Sequence, residues 1–168
     1  MKIAIVDDEV YWREKAEECI RQKEVTDLEI VVYDNPISYL DSENDYDISL
    51  IDIEMPELDG FETIKKAKEK NKDGIFMILT THTEMSRKGY LVNAFRYLDK
   101  KNLNEELGEA LCAAKRLLEK DKKITLNIVG EAQQEVSLKN IYYFEAQRHG
   151  VLIYTTLGAK RCNDSMSE

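Results

Sequence analysis

No stretch of this chain approaches the ~18 consecutive apolar residues that cross a bilayer, and the run Ile3-Ala4-Ile5-Val6 ends directly in acids, unlike a signal peptide. Both absences predict a cytoplasmic protein without a membrane partner. Cysteine is sparse. Cys19, Cys112 and Cys162 are odd in number and share no paired spacing, which fits neither a disulfide framework nor a zinc site and predicts reduced, inert thiols. Cys19 falls with Trp12, Ala16 and Ile20 at helical spacing, so packing accounts for it. Basic charge is short as well: residues 1–121 hold 28 acids against 18 bases, a net of −10, while residues 122–168 carry +1. The first part is a poor nucleic-acid ligand and a plausible cation binder. Pro/Ser-rich linkers, internal repeats and low-complexity tracts are missing.

What is present, up to about residue 121, is an alternation of short continuous apolar runs with amphipathic stretches. Ile3 to Val6, Leu28 to Tyr33, Ile48 to Ile51, Ile75 to Leu79 and Ala94 to Leu98 read as parallel strands buried on both faces. Asn35-Pro36 and Asp59-Gly60 signal the starts of the second and third helices. A stripe of Leu107, Ala110, Leu111, Ala114, Leu117 and Leu118 predicts a long closing helix. Five βα units make an α/β fold with a doubly wound five-stranded parallel sheet. From about Lys122 the texture changes to β-strand alternation around Gly130, Gly150 and Gly158. The expected division is therefore 1–121 and 122–168.

Ligands of doubly wound sheets sit beyond the carboxyl ends of the strands. Asp7 and Asp8 follow the first apolar run, Asp52 the third, Thr80 the fourth and Lys100 the fifth. Carboxylates crowded within ~4 Å repel by about 4 kcal/mol per pair at an effective dielectric of about 20. Such a cluster needs positive charge, which a divalent cation and Lys100 can supply. Mg²⁺, or Mn²⁺, takes oxygen ligands and keeps several waters. Asp8, Asp52 and the backbone carbonyl of Glu54 can hold it, with Asp7 positioning metal-bound water. Asp52 is placed to be a nucleophile toward phosphorus, with Lys100 and Thr80 on the phosphoryl oxygens.

Other chemistries fit less well. A flavin module wants a Ser/Thr/Gly-rich phosphate loop after the first strand, where this chain has three acids. A calcium loop would put Pro56 at a ligand position and lacks its bidentate Glu. An aspartyl-phosphate phosphatase or phosphotransferase wants an acid/base aspartate two residues after Asp52, where Glu54 stands.

Val6-Asp7-Asp8-Glu9, Asp52-Ile53-Glu54-Met55-Pro56-Glu57-Leu58-Asp59-Gly60, Leu79-Thr80 and Tyr97-Leu98-Asp99-Lys100 resemble the receiver domain of bacterial two-component response regulators. The resemblance implies a flavodoxin-like fold and a signalling phosphoacceptor rather than an enzyme. By it, Asp52 takes phosphate from a histidine of a sensor kinase, Thr80 moves toward the phosphoryl group, and Tyr97 switches rotamer. The face of the fourth helix, fifth strand and fifth helix then exchanges partners, with a homodimer as one outcome. Two departures stand out. Lys101 replaces the family's usual proline, which predicts a less constrained loop around Lys100. Thr81 replaces a small residue, which narrows access to Asp52, and His82 falls beside the pocket.

Val136 to Ala146 and Val151 to Thr156 are similar to the opening of the LytTR-type DNA-binding domain, a β-rich reader about twice as long as residues 122–168. That resemblance puts Arg148 and His149 in a loop that approaches DNA. It implies transcriptional control through a completed output domain, and by itself this incomplete stretch is expected to form at most a small meander without specific DNA binding.

Overall fold

The computed structural model describes residues 1–23, 28–81, 92–121, 123–130, 132–148 and 150–162. It divides into two compact units, Met1–Ala114 and Lys115–Glu168.

The first unit is a five-stranded parallel sheet in the order β2-β1-β3-β4-β5, built from β1 (Lys2–Val6), β2 (Glu29–Tyr33), β3 (Ile48–Asp52), β4 (Ile75–Thr80) and β5 (Arg96–Asp99). The helices are α1 (Val10–Arg21), α2 (Pro36–Asp41), α3 (Gly60–Lys70) and α4 (Leu103–Asp121), whose last residues belong in sequence to the second unit. The helix expected between β4 and β5, and with it His82, falls on residues 82–91, outside the described residues. Doubly wound topology thus follows from the sequence pattern, with one correction. Only β3 and β4 are buried throughout, and β1 from Ile3 on, whereas β2 and β5 are edge strands with exposed positions such as Glu29, Val32 and Arg96. A short apolar run does not by itself distinguish an edge from a centre.

Side chains alternate across the sheet. Ala4, Val6, Ile51, Phe76 and Ile78 join Tyr39 of α2 and Ile64 and Ala67 of α3 in one buried cluster. Ile3, Ile5, Leu50, Met77 and Leu79 are buried too, as are Ala16, Cys19 and Ile20 of α1 and Leu107, Ala110, Leu111 and Ala114 of α4. The closing stripe is shorter than its sequence suggests, since Leu117 is 41% exposed.

Local chemistry fixes the helix starts. Asn35 accepts a hydrogen bond from Ser38 N at 2.7 Å with Pro36 in the first turn, and Asp59 accepts from Glu62 N at 2.9 Å. The buried Ser49 hydroxyl within β3 is matched by Tyr39 Oη at 2.9 Å.

The second unit holds β6 (Lys123–Leu126) antiparallel to β7 (Gln134–Ser137), and a three-stranded antiparallel sheet β10-β9-β8 made of β8 (Ile141–Gln147), β9 (Gly150–Thr155) and β10 (Gly158–Cys162). It is more organised than a small meander. Leu126, Ile128, Val151, Ile153 and Cys162 form a buried cluster, and an isolated bridge joins Ile128 to Cys162. Cys162 is therefore a core residue, and β10, which carries no apolar alternation, was not among the expected strands. Gly158 opens β10 at φ 113°, in the left-handed region that favours glycine.

Gly60 couples the fold to the end of β3. A Cβ added there would lie 2.1 Å from the carbonyl oxygen of Asp52. Gly60→Ala should therefore lower stability by about 1–3 kcal/mol, read as a fall in the urea midpoint, and an unchanged midpoint would mean that the β3–α3 junction yields freely.

Candidate functional site

Strand register assembles the site. Val6 lies opposite Ile51 on adjacent parallel strands, so the next residues, Asp7 and Asp52, emerge side by side. Asp52 lies opposite Leu79 and Thr80 opposite Asp99, which places Thr80 and then Lys100 one step further along the same rim. Asp7, Asp52, Thr80 and Lys100 are all buried, while Asp8 is exposed.

The centre is an ion-paired ammonium. Lys100 Nζ lies 2.7 Å from Asp7 Oδ2 and 3.0 Å from Asp52 Oδ1, and it sits 5.7 Å from the centroid of the Trp12 ring. Asp7 is held by its backbone and its other oxygen. Its N–H donates to Tyr33 O at 3.1 Å, its Oδ1 accepts from Glu9 N at 3.0 Å, and its carbonyl accepts from Arg13 Nη1 at 2.6 Å. The Lys100 ammonium is thus the charge partner of the buried Asp7 Oδ2.

One lysine does not balance three acids. Carboxylate oxygens of Asp7, Asp8 and Asp52 lie within 4.8 Å of one another, an all-oxygen set suited to a hard divalent cation. Burial pushes the Asp52 carboxyl up to about 6, with Lys100 opposing and Asp7 adding to the shift; burial also raises Asp7. Two buried carboxyls driven toward their neutral forms, with a single ammonium between them, mark a site short of positive charge. The residues present fit Mg²⁺.

The other expected residues are placed as follows. Glu54 lies two residues beyond Asp52 on an exposed part of the loop that the buried Met55 and Leu58 anchor. Tyr97 is half-buried on β5, opposite Ile78 and packed on the core cluster. Thr81 is half-buried. Arg148 is exposed in the turn between β8 and β9, and His149 lies outside the described residues.

Sequence reasoning missed Arg13, and it took Trp12 only as a packing residue. It also misjudged the loop after β5. Residues Lys100–Asn102 form a 3₁₀ turn capped by Asp99, whose Oδ1 accepts from Lys101 N at 2.9 Å. The loop expected to be less constrained is hydrogen-bonded by the N–H that a proline would lack. An Asp two residues before a free N–H is a readable local signal.

The profile of the response regulator receiver domain matches residues 3–112. The chain belongs to that family. It is thus a receiver domain of two-component signalling, a class phosphorylated by sensor histidine kinases. The positive alginate biosynthesis regulatory protein of Pseudomonas aeruginosa is 32% identical over 119 residues, covering 69% of this chain and 48% of that protein, so the chain spans about half the relative's length. The response regulator TrrA of Thermotoga maritima, solved in complex with Mg(2+)-BeF, is 28% identical with a TM-score of 0.61, covering 67% of this chain and 97% of that one. The BeF3-activated DrrB receiver domain shares the fold at 23% identity and a TM-score of 0.62, covering 68% and 97%. Among the described residues no helix is long and apolar enough to cross a membrane.

A raised Asp52 has a consequence for stability. The folded protein holds that proton more tightly than the unfolded chain, so without divalent cation stability falls as pH rises from about 4 through about 6. Asp52→Asn should therefore be more stable than the parent receiver at pH 7 by on the order of 1–3 kcal/mol, with the gap closing near pH 4. Urea melts in chelator at both pH values measure it; a destabilised variant at pH 7 would mean that the ion pair with Lys100 outweighs desolvation.

Proposed function

We propose that Asp52 is the phosphoacceptor of a response regulator that controls transcription through a LytTR-type output. The carrying observation is the buried Lys100 ammonium between Asp7 and Asp52 at the ends of adjacent strands. An Asp52 carboxylate oxygen attacks the phosphorus of a phosphohistidine on the sensor kinase. An O–P bond forms, the N–P bond breaks, and the imidazole nitrogen keeps the electron pair and takes up a proton. Lys100 pairs with a phosphoryl oxygen, Thr80 donates its hydroxyl to another, and Tyr97 repacks on β5 as the switch. Bound Mg²⁺ or Mn²⁺, held by Asp7, Asp8, Asp52 and the carbonyl of Glu54, would supply neutralising charge to the transferring group.

In this reading residues 1–121 are the receiver and 122–168 the first part of the output domain, acting in the cytoplasm. The family and the 32%-identical alginate regulator support it. Arg148 and His149 belong to the DNA-facing loop of the completed output, and the face around β5 and its flanking helices serves a homodimer. A phosphatase or phosphotransferase reading is not favoured, because Glu54 stands where the acid/base aspartate is wanted.

Incubating the chain with Mg²⁺ and acetyl phosphate should add the mass of one phosphoryl group, and Asp52→Asn should abolish the gain. Labelling that survives in Asp52→Asn would refute the assignment.

A further inference from the structure

Lys100 reaches its carboxylates from a backbone that is held on both sides. Downstream, Asp99 Oδ1 accepts from Lys101 N at 2.9 Å and Asp99 Oδ2 from Asn102 Nδ2 at 3.3 Å. Upstream, the N–H of Asp99 donates to Glu106 Oε2 at 2.9 Å, a half-buried acid in the first turn of α4. The two bonds to main-chain N–H groups flank the Lys100 Cα, and they do so at the point where β5 ends against Thr80.

We propose that Asp99 and Glu106 are positioning residues that bracket the backbone of Lys100 and so place its ammonium between Asp7 and Asp52 for phosphoryl transfer. Neither acid contributes to the carboxylate cluster itself, which comprises Asp7, Asp8 and Asp52. They act through the lysine. A four-carbon stem ending in a point charge has many rotamers, and its reach depends on where the Cα is fixed. Lys100 is only 1% exposed and makes two ion pairs, so a shift at the Cα moves the ammonium off one carboxylate or both. Misplacement by about 1 Å at a reacting centre can cost about 100-fold in rate. A helix cap alone would account for the bond to Lys101, but not for Glu106 reaching back past the turn to the strand.

This inference rests on Asp52 and Lys100 carrying the transfer as proposed above. The test is the rate of Asp52 labelling by acetyl phosphate in Mg²⁺, followed by intact mass on the full chain, together with the urea midpoint and, in metal-free protein, hydrogen exchange at the Lys101 amide. Asp99→Ala and Glu106→Ala should slow labelling by about tenfold or more, and Asp99→Ala should speed exchange at Lys101. Asp99→Asn and Glu106→Gln keep an acceptor oxygen and should restore most of the rate. In a Lys100→Ala background, Asp99→Ala should slow labelling no further, because the residue acts only through the lysine. Wild-type rates in both alanine variants, or full additivity with Lys100→Ala, would overturn the bracket while Asp52 labelling in the parent kept the functional reading intact. Failure of the parent to label on Asp52 would overturn both. Should Asp99→Ala not fold, Glu106→Ala and its Gln rescue decide the question alone.

Discussion

A lysine ammonium at 1% exposure would be strongly destabilising alone, and so would two buried carboxylates beside it. In this receiver each is the condition for the other. Removing Lys100 would leave both buried carboxylates uncompensated and cost about 3–5 kcal/mol, whereas neutralising Asp52 leaves the ammonium its second partner, Asp7; the ends of β1, β3 and β5 are thus tied together by charge as well as by their ladder. The parallel sheet makes this possible. Its register brings Asp7 and Asp52 out on the same rim, and β4 separates β3 from β5 by one strand, a gap that only a long side chain such as lysine spans.

The same constraint explains why the surrounding loops are so closely specified. Gly60 admits the Asp52 carbonyl where any Cβ would collide with it, and Arg13 of α1 holds the Asp7 carbonyl. Each contact fixes backbone at the foot of a charged side chain. Precision of the charges is thus set one step back from the carboxylates, in groups that hold backbone.

How much of this was legible depended on whether the signal was local. Asp7, Asp8, Asp52, Thr80 and Lys100 could be placed together because each ends an apolar run, and strand ends of a doubly wound sheet converge. The helix starts at Asn35 and Asp59 were legible for the same reason. Edge and centre were not, since β2 and β5 have the same short apolar character as β1 and differ only in having one neighbour. In the loop after β5 the signal that was passed over is local, Asp99 standing two residues before the free N–H of Lys101, and only the second anchor, Glu106 on the N–H of Asp99, comes from a turn into the next helix. In the second unit, Gly158–Cys162 lacks apolar alternation; its strand character comes from pairing with β9 and from burying Cys162, neither of which composition reveals.

Charge balance links cation, proton and phosphoryl group in one equilibrium. With Asp7, Asp8 and Asp52 ionised and Lys100 protonated the pocket carries a formal excess of two negative charges, and the metal-free protein relieves it by holding a proton on Asp52 up to about pH 6. A divalent cation would cancel the same excess, so its binding there would expel that proton, and its affinity would weaken as pH falls below the Asp52 value. The ionised carboxylate is also the nucleophile in the proposed transfer. Cation occupancy and nucleophile readiness are therefore one titration, set by the charge balance around the buried Asp52 carboxyl.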